Sequence, residues 1–159
     1  MLWCSRLKEQ KGNSAKAFTM CYTKNSKGGG IMSKILRPHH GMCFQFYEGK
    51  GYSEDFTDHM GRIIYEMEKN PAQLITLKVE TDIVCKNCPN NESGICTSQD
   101  KVRKYDNAVL ETCGIENGTE ITYQDFISTV KTKIIDTGLR TKICGDCGWN
   151  YICEKFNKA

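Results

Sequence analysis

Six of the ten cysteines in this 159-residue chain fall into two similar clusters, which we call the first arm and the second arm. The first arm has the pattern C-x2-C-x7-C and consists of Cys85, Cys88 and Cys96. The second arm has the pattern C-x2-C-x5-C and consists of Cys144, Cys147 and Cys153. Two residues between cysteines allow a tight turn to aim both sulfurs at one metal, as zinc sites and iron–sulfur clusters require. The two arms together predict metal binding.

The number of metal centres is left open by six cysteines, because four thiolates complete one cluster or one zinc site. We expect one centre shared by both arms, and two separate centres are the alternative. Separate centres would need further ligands, and the candidates are His39, His40 and Cys43. On a helix Cys43 shares a face with either histidine, three or four residues away. These three residues are therefore candidate ligands or members of a neighbouring catalytic site; otherwise the histidines only pack near the helix start.

The identity of the metal follows less directly from the sequence. Cysteine dominates the candidate ligands and the spacing to the third cysteine varies, which favours a bulky iron–sulfur cluster, in particular [4Fe–4S], over zinc. Thiolate sites accept either metal. We expect an electron-transfer protein, or an accessory to a redox enzyme with a redox partner protein. The alternatives are a zinc-stabilised interaction module and a metalloenzyme that uses His39, His40 and Cys43 beside the centre.

Hydrophobic periodicity predicts the elements that position these residues. A short helix is expected over residues 39–47. Three longer helices are expected over residues 53–69, from Thr97 or Ser98 to Gly114, and from Thr122 onward, and one short strand over residues 74–79. Ser53 and Thr122 have the residue types of helix N-caps. The predicted fold is mostly α with minor β, a small single domain with cysteine-rich metal-binding loops, and Cys113 is expected in its core.

The composition indicates a globular domain, with 39% hydrophobic and 26% charged residues. No apolar run approaches the roughly 18 residues of a membrane span. Nothing resembles a secretion signal, so we expect a cytoplasmic location, where clustered cysteines bind metal more often than they form disulfides. The net charge of +3 arises from the first 31 residues, since residues 32–159 carry 16 basic and 18 acidic side chains. This balance argues against nucleic-acid binding.

Residues 1–31 are expected to be a disordered or artefactual extension of a domain over residues 32–159. They lack hydrophobic periodicity and end in Lys27 and three glycines before Ile31 and Met32. Lysine and glycine codons can form a purine-rich run of the kind that precedes a bacterial start codon. We therefore expect translation to begin at Met32.

Several of these motifs resemble a bacterial and archaeal family of unknown function, DUF1284. The resemblance rests on Leu36-Arg37-Pro38-His39-His40 with Cys43, on Gly49-Lys50-Gly51-Tyr52-Ser53, on Asp82-Ile83-Val84-Cys85 with Cys88-Pro89, and on Ile143-Cys144-Gly145-Asp146-Cys147 with Trp149 and Cys153. It spans Ile35 to about Cys153. The resemblance implies a small cytosolic protein that binds an iron–sulfur cluster, and it implies no particular reaction.

Overall fold

A computed structural model of the chain describes residues 33–156. The expectations about residues 1–31 lie outside this range. Two sheets contain the strands, which are β1 Lys34–Leu36, β2 Leu74–Leu77, β3 Asn91–Glu92, β4 Ile95–Cys96 and β5 Glu120–Thr122. The α-helices are α1 Pro38–Phe44, α2 Glu54–Lys69, α3 Gln99–Cys113, α4 Tyr123–Val130, α5 Arg140–Cys144 and α6 Asn150–Cys153. The predicted mostly α class is confirmed, but the described residues contain six α-helices and five short strands.

The main sheet has the order β1-β2-β5, with β1 parallel and β5 antiparallel to the central β2. β2 follows the predicted alternation, because Ile75 and Leu77 are buried and Leu74 is exposed. The prediction of a single strand was wrong because β1 and β5 have three residues each, too few to show a period of two. The sheet closes the domain on one side and places the start of α1 directly after β1.

The longer helices begin and end where their sequence signals indicate. The Ser53 hydroxyl accepts a hydrogen bond from the backbone N–H of Phe56, and Thr122 accepts one from Asp125. α3 ends at Gly114, whose φ of +68° is the left-handed conformation that glycine favours. Ser98 precedes α3, as predicted, but its side chain makes no capping hydrogen bond. α4 continues into a π-helical turn over Lys131–Ile135.

The core is formed by the predicted apolar faces of the helices together with the inner face of the sheet. Cys113 is 3% exposed and belongs to this core, as its position on α3 predicts. Fully buried side chains from four helices and two strands meet there, namely Leu36, Met42, Met67, Ile75, Leu77, Val109, Phe126, Val130 and Ile134. α1 packs against α3 and α4, so this short helix is held by tertiary contacts rather than by its own length.

Gly41 allows α1 to approach α4 closely. A Cβ atom at this position would overlap Cε1 of the buried Phe126 ring. We expect Gly41→Ala to lower the free energy of unfolding by about 1–3 kcal/mol, the usual cost of overpacking a core, even though alanine favours a helix by about 1 kcal/mol. Urea unfolding measures the change.

The matched control is Gly148→Ala, because a Cβ at Gly148 would have no neighbour within 4 Å. We expect a change within about 0.5 kcal/mol for this variant, as for surface substitutions in general. Equal effects of the two substitutions would contradict close packing of α1 on Phe126.

Candidate metal centre

The start of α1 is fixed by a buried ion pair. Arg37, 1% exposed, donates from Nε and from one terminal nitrogen to Oδ2 of Asp106 on α3, at 2.8 and 2.6 Å. Oδ1 of the same carboxylate accepts from the His39 backbone N–H at 3.1 Å and lies 2.6 Å from His39 Nδ1. Burial opposes the charged form of Asp106, but the hydrogen bonds and charges of His39 and Arg37 lower its pKa. The pair thus fixes both the helix start and the His39 ring.

His40 is anchored by a second buried carboxylate. Its Nδ1 lies 2.8 Å from Oδ2 of Asp82, whose side chain is fully buried, and the same oxygen accepts from the backbone N–H of Arg37. Oδ1 of Asp82 accepts from the backbone N–H groups of Val84 and Cys85. Although burial favours the neutral acid, His40 and these N–H donors lower the pKa of Asp82 to about 2. Both histidines therefore have Nδ1 within hydrogen-bond distance of a buried carboxylate oxygen.

Cys43 lies one turn along α1 and faces the second arm. Burial raises the pKa of its thiol well above the ordinary value, and negative charge on Cys144, Cys147 and Cys153 raises it further. Burial likewise raises the pKa of Cys144 to about 11, against the opposing effect of Arg140. Four thiols that repel one another as thiolates need a cation to become charged together, since a bound metal displaces their protons.

The second arm is built from two short helices and the turn between them. Cys144 ends α5, the Cys147 backbone N–H donates to the Cys144 carbonyl at 3.0 Å, and Cys153 ends α6. The Trp149 backbone N–H points at Cys147 Sγ, 3.4 Å away. This turn aims the sulfurs inward, as the C-x2-C spacing predicts.

Arg140 lies beside these sulfurs and is 2% exposed. One terminal nitrogen donates to Asn150 Oδ1 at 2.8 Å and lies 3.9 Å from Cys144 Sγ. Its Nε is buried and has no hydrogen-bond partner within the described residues. A buried orphan donor is costly, so this nitrogen indicates an acceptor that the protein atoms alone do not supply.

A cavity of about 150 Å³ lies at this point of the fold. Its lining includes all four cysteine side chains, Arg140, both histidines of α1, and an aromatic group, namely Tyr52, Phe56, Tyr105 and Trp149. Trp149 packs edge-on against Tyr52, with ring centroids 5.3 Å apart.

The first arm lies beside this cavity. Burial raises the pKa of the cavity-lining Tyr52, and Cys88 and Cys96 of the first arm raise it further, as does Cys147 of the second arm. Cys85 opens a 3₁₀ turn over Cys85–Asn87, and the Cys88 backbone N–H donates to the Cys85 carbonyl at 3.1 Å. Cys96 lies in β4 and pairs with Asn91 of β3. The arm therefore combines a turn with a small hairpin, and none of its three cysteines lines the four-thiol cavity.

A tight set of potential ligand atoms lies at the start of the first arm. A ring nitrogen of His40, a carboxylate oxygen of Asp82 and Cys85 Sγ are all within 4.8 Å of one another. Within residues 33–156, no other group of three or more His, Cys, Asp or Glu ligand atoms is as compact. The structure thus brings Cys43 to the second arm and His40 to the first, whereas the sequence left both assignments open.

No site role was predicted from the sequence for Arg37, Asp82, Asp106 or Arg140, although Arg37 and Asp82 lie within the motifs of the family resemblance. Asp82 had a local signal, because it stands three residues before Cys85 and accepts from that residue's backbone N–H. Arg37 and Asp106 meet only through the packing of α1 on α3. No sequence spacing could have predicted their pairing.

The fold and these side chains define a small, mostly α, cysteine-rich domain with one four-thiol cavity. Residues 51–153, nearly two thirds of the chain, match the family described as "Protein of unknown function (DUF1284)". The chain belongs to this family. The match begins after the opening motif, so the resemblance around Leu36 to Cys43 lies outside the matched residues. No curated protein and no solved structure matches the chain. Within the part that the structure describes, no helix is long and apolar enough to cross a membrane.

Proposed function

We propose that the chain binds an iron–sulfur cluster through Cys43, Cys144, Cys147 and Cys153. The observation that carries this proposal is the convergence of four thiols on one buried cavity. Four cysteine thiolates are the usual ligand set of both [2Fe–2S] and [4Fe–4S] clusters. The proposed cluster is the [4Fe–4S] type that the sequence favours.

The spacing of the four thiols supports a cluster over a single zinc ion. Tetrahedral zinc with Zn–S bonds of about 2.3 Å requires sulfurs roughly 3.8 Å apart. No three of these four sulfurs lie within 4.8 Å of one another in the described residues. A cluster places several iron and sulfide atoms between its ligands and therefore suits a wider set.

The donors around the cavity support the same proposal. The unpaired Arg140 Nε and the Trp149 backbone N–H could each donate to a cluster sulfur or to a ligating thiolate. Such hydrogen bonds stabilise the reduced cluster and tune its potential. Arg140 would also offset the negative charge of four thiolates in a buried site.

Electron transfer, directly or as an accessory to a redox enzyme, is the proposed role. The aromatic rings of Tyr52, Trp149 and Tyr151 lie over the cavity side of the domain, and Tyr52 and Tyr151 are about half exposed. Their proximity to the centre supports this surface as the docking place for a redox partner protein, since exposed aromatic residues are enriched at interfaces.

A metalloenzyme remains a second candidate because of His39. Burial and the neighbouring His40 lower the pKa of His39 to about 4, which outweighs the opposite effect of Asp106. The imidazole is thus neutral near pH 7 and lines the cavity beside the proposed cluster. A neutral imidazole there could hydrogen-bond a bound substrate, whereas a pKa of about 4 makes it a weak general base. Cys43 would not be free as a nucleophile, because the proposed cluster uses its thiolate.

Protein purified without oxygen and passed over a chelating resin tests the leading proposal. We expect brown protein with broad absorbance near about 400 nm from thiolate-to-iron charge transfer, and both iron and acid-labile sulfide on analysis. Colourless protein that carries stoichiometric zinc at the four thiols would refute the cluster and favour a zinc-stabilised module.

A further inference from the structure

We propose that the first arm forms a second metal site, in which a single zinc ion is bound by His40, Asp82, Cys85 and Cys88. This site adjoins the four-thiol cavity, because His40 also lines that cavity, but it shares none of the four cysteines there and does not depend on an iron–sulfur cluster. The His40 ring nitrogen, the Asp82 oxygen and Cys85 Sγ already lie within 4.8 Å of one another. Tetrahedral zinc needs ligand atoms roughly 3.3–3.8 Å apart, which small side-chain rotations can reach.

The hydrogen bonds at Asp82 show how an ion would fit. Oδ1 is occupied by the backbone N–H groups of Val84 and Cys85, which fix the carboxylate in place. Oδ2 accepts from the Arg37 backbone and from His40 Nδ1. Zinc would replace the His40 hydrogen bond, and the ring proton would then reside on Nε2. The Arg37 and Oδ1 bonds remain, so three of the four contacts that orient Asp82 are unchanged.

Cys88 is the proposed fourth ligand. Its Sγ does not belong to the group of atoms within 4.8 Å, so its side chain would have to turn toward the ion, as the C-x2-C turn allows. The Cys88 backbone N–H bonds to the Cys85 carbonyl, the geometry that lets both sulfurs of such a turn face one ion. Burial raises the pKa of the Cys88 thiol, the Asn90 backbone N–H opposes this, and the nearby Cys96 and Asp82 raise the pKa further. Thiolate, imidazole and carboxylate ligands together suit zinc, whereas magnesium and calcium require oxygen ligands.

The burial of the site favours zinc binding, because water cannot fully solvate the charged ligands when no ion is bound. Asp82 is fully buried, Cys85 is 6% exposed and the His40 side chain is 16% exposed. A carboxylate and a thiolate in such a place need compensating positive charge. A divalent ion would neutralise both anions and would link α1 to the loop that carries Asp82 and Cys85.

Zinc analysis of the full-length, iron-loaded protein tests this proposal. After incubation with zinc and removal of excess by gel filtration, we expect about one zinc per chain from the single site. His40→Asn and Cys85→Ala should each weaken zinc binding by more than about a hundredfold. Loss of a residue that only hydrogen-bonds a ligand costs roughly tenfold to hundredfold in metal affinity, and loss of a ligand should cost more. Competition with a chromophoric chelator measures the affinity. Iron content should remain as in the unmodified chain.

The matched controls are His39→Asn and Cys113→Ala. His39 bonds to Asp106 instead of Asp82, and Cys113 is a core residue in neither arm, so both variants should keep zinc. Circular dichroism verifies folding. If Cys85→Ala does not fold, His40→Asn alone tests the zinc site. We expect His40→Asn to fold, because the His40 side chain is partly exposed.

Two outcomes would overturn the second site. Unmodified protein that retains no zinc after gel filtration shows that the three close ligand atoms do not bind the ion. Zinc that persists in His40→Asn and Cys85→Ala but disappears in Cys147→Ala shows that zinc occupies the four-thiol cavity. If the purified protein contains no iron but binds zinc, and His40→Asn abolishes that binding, the second site is supported and only the cluster is refuted.

Discussion

Cys43→Ala is expected to remove nearly all bound iron from the protein. Cys43 comes from α1, whereas the other three thiols belong to the second arm, so α1 would contribute one of the four proposed ligands. Loss of one thiolate opens the cluster and leaves the remaining thiols to regain protons, and the folding free energy tied to metal binding is lost with it. Iron and sulfide analysis of anaerobically purified protein, with the visible spectrum, measures the effect.

Cys113→Ala is the matched control for this prediction. Cys113 is 3% exposed, more buried than Cys43, and packs in the core on α3, where Lys133 donates to its backbone carbonyl. We expect this variant to keep its iron and its colour. A cavity of one sulfur atom should cost some stability without affecting the centre.

Cys85→Ala distinguishes the two arrangements of centres. The sequence favoured one centre shared by both arms, in which Cys85→Ala would abolish the metal and Cys43→Ala would spare it. The arrangement of the cavity leads to the opposite expectation, with iron lost in Cys43→Ala and kept in Cys85→Ala. Cys96→Ala provides a second first-arm variant at a less buried position. Loss of iron in both first-arm variants, with iron kept in Cys43→Ala, would refute the four-thiol centre.

The sequence predicted those features whose physical cause is local. α2 was predicted because its buried side chains recur at helical spacing and Ser53 caps it, and both signals lie within the helix itself. The turn of the second arm follows from its C-x2-C spacing in the same way. Thr122 and Gly114 likewise act within one turn of the helix ends that they specify.

The features that could not be predicted depend on contacts between distant segments. Cys43 reaches the second arm because α1 packs on α3 and α4. The residues around Cys43 in the sequence give no signal of this packing. Asp106 resembles any acidic residue of a helix, although it is fully buried against Arg37. The residues that orient the candidate ligands were therefore the hardest to find, since an orienting residue need only be close in space.

Asp106→Asn is expected to lower the free energy of unfolding by about 3–5 kcal/mol at pH 7, because it leaves the Arg37 guanidinium buried without a counter-charge. Both side chains of the pair are essentially inaccessible, at 1% and 0% exposure. The pKa of Asp106 is lower in the folded protein than in the unfolded chain. The pair therefore stabilises the fold above the unfolded pKa of about 3.9, and this contribution is lost as the pH falls through the folded pKa. Urea unfolding of the metal-free protein measures the change.

The exposed pair Lys131–Asp136 provides the control, since its side chains are 59% and 48% exposed. Asp136→Asn should cost less than about 1 kcal/mol, as surface ion pairs generally do. The double variant Arg37→Met with Asp106→Leu should be more stable than Asp106→Asn, because it removes both buried charges together. Equal, small costs for Asp106→Asn and Asp136→Asn would mean that water reaches Arg37. In that case α1 would not be held rigidly enough on α3 to place Cys43 among the thiols of the second arm.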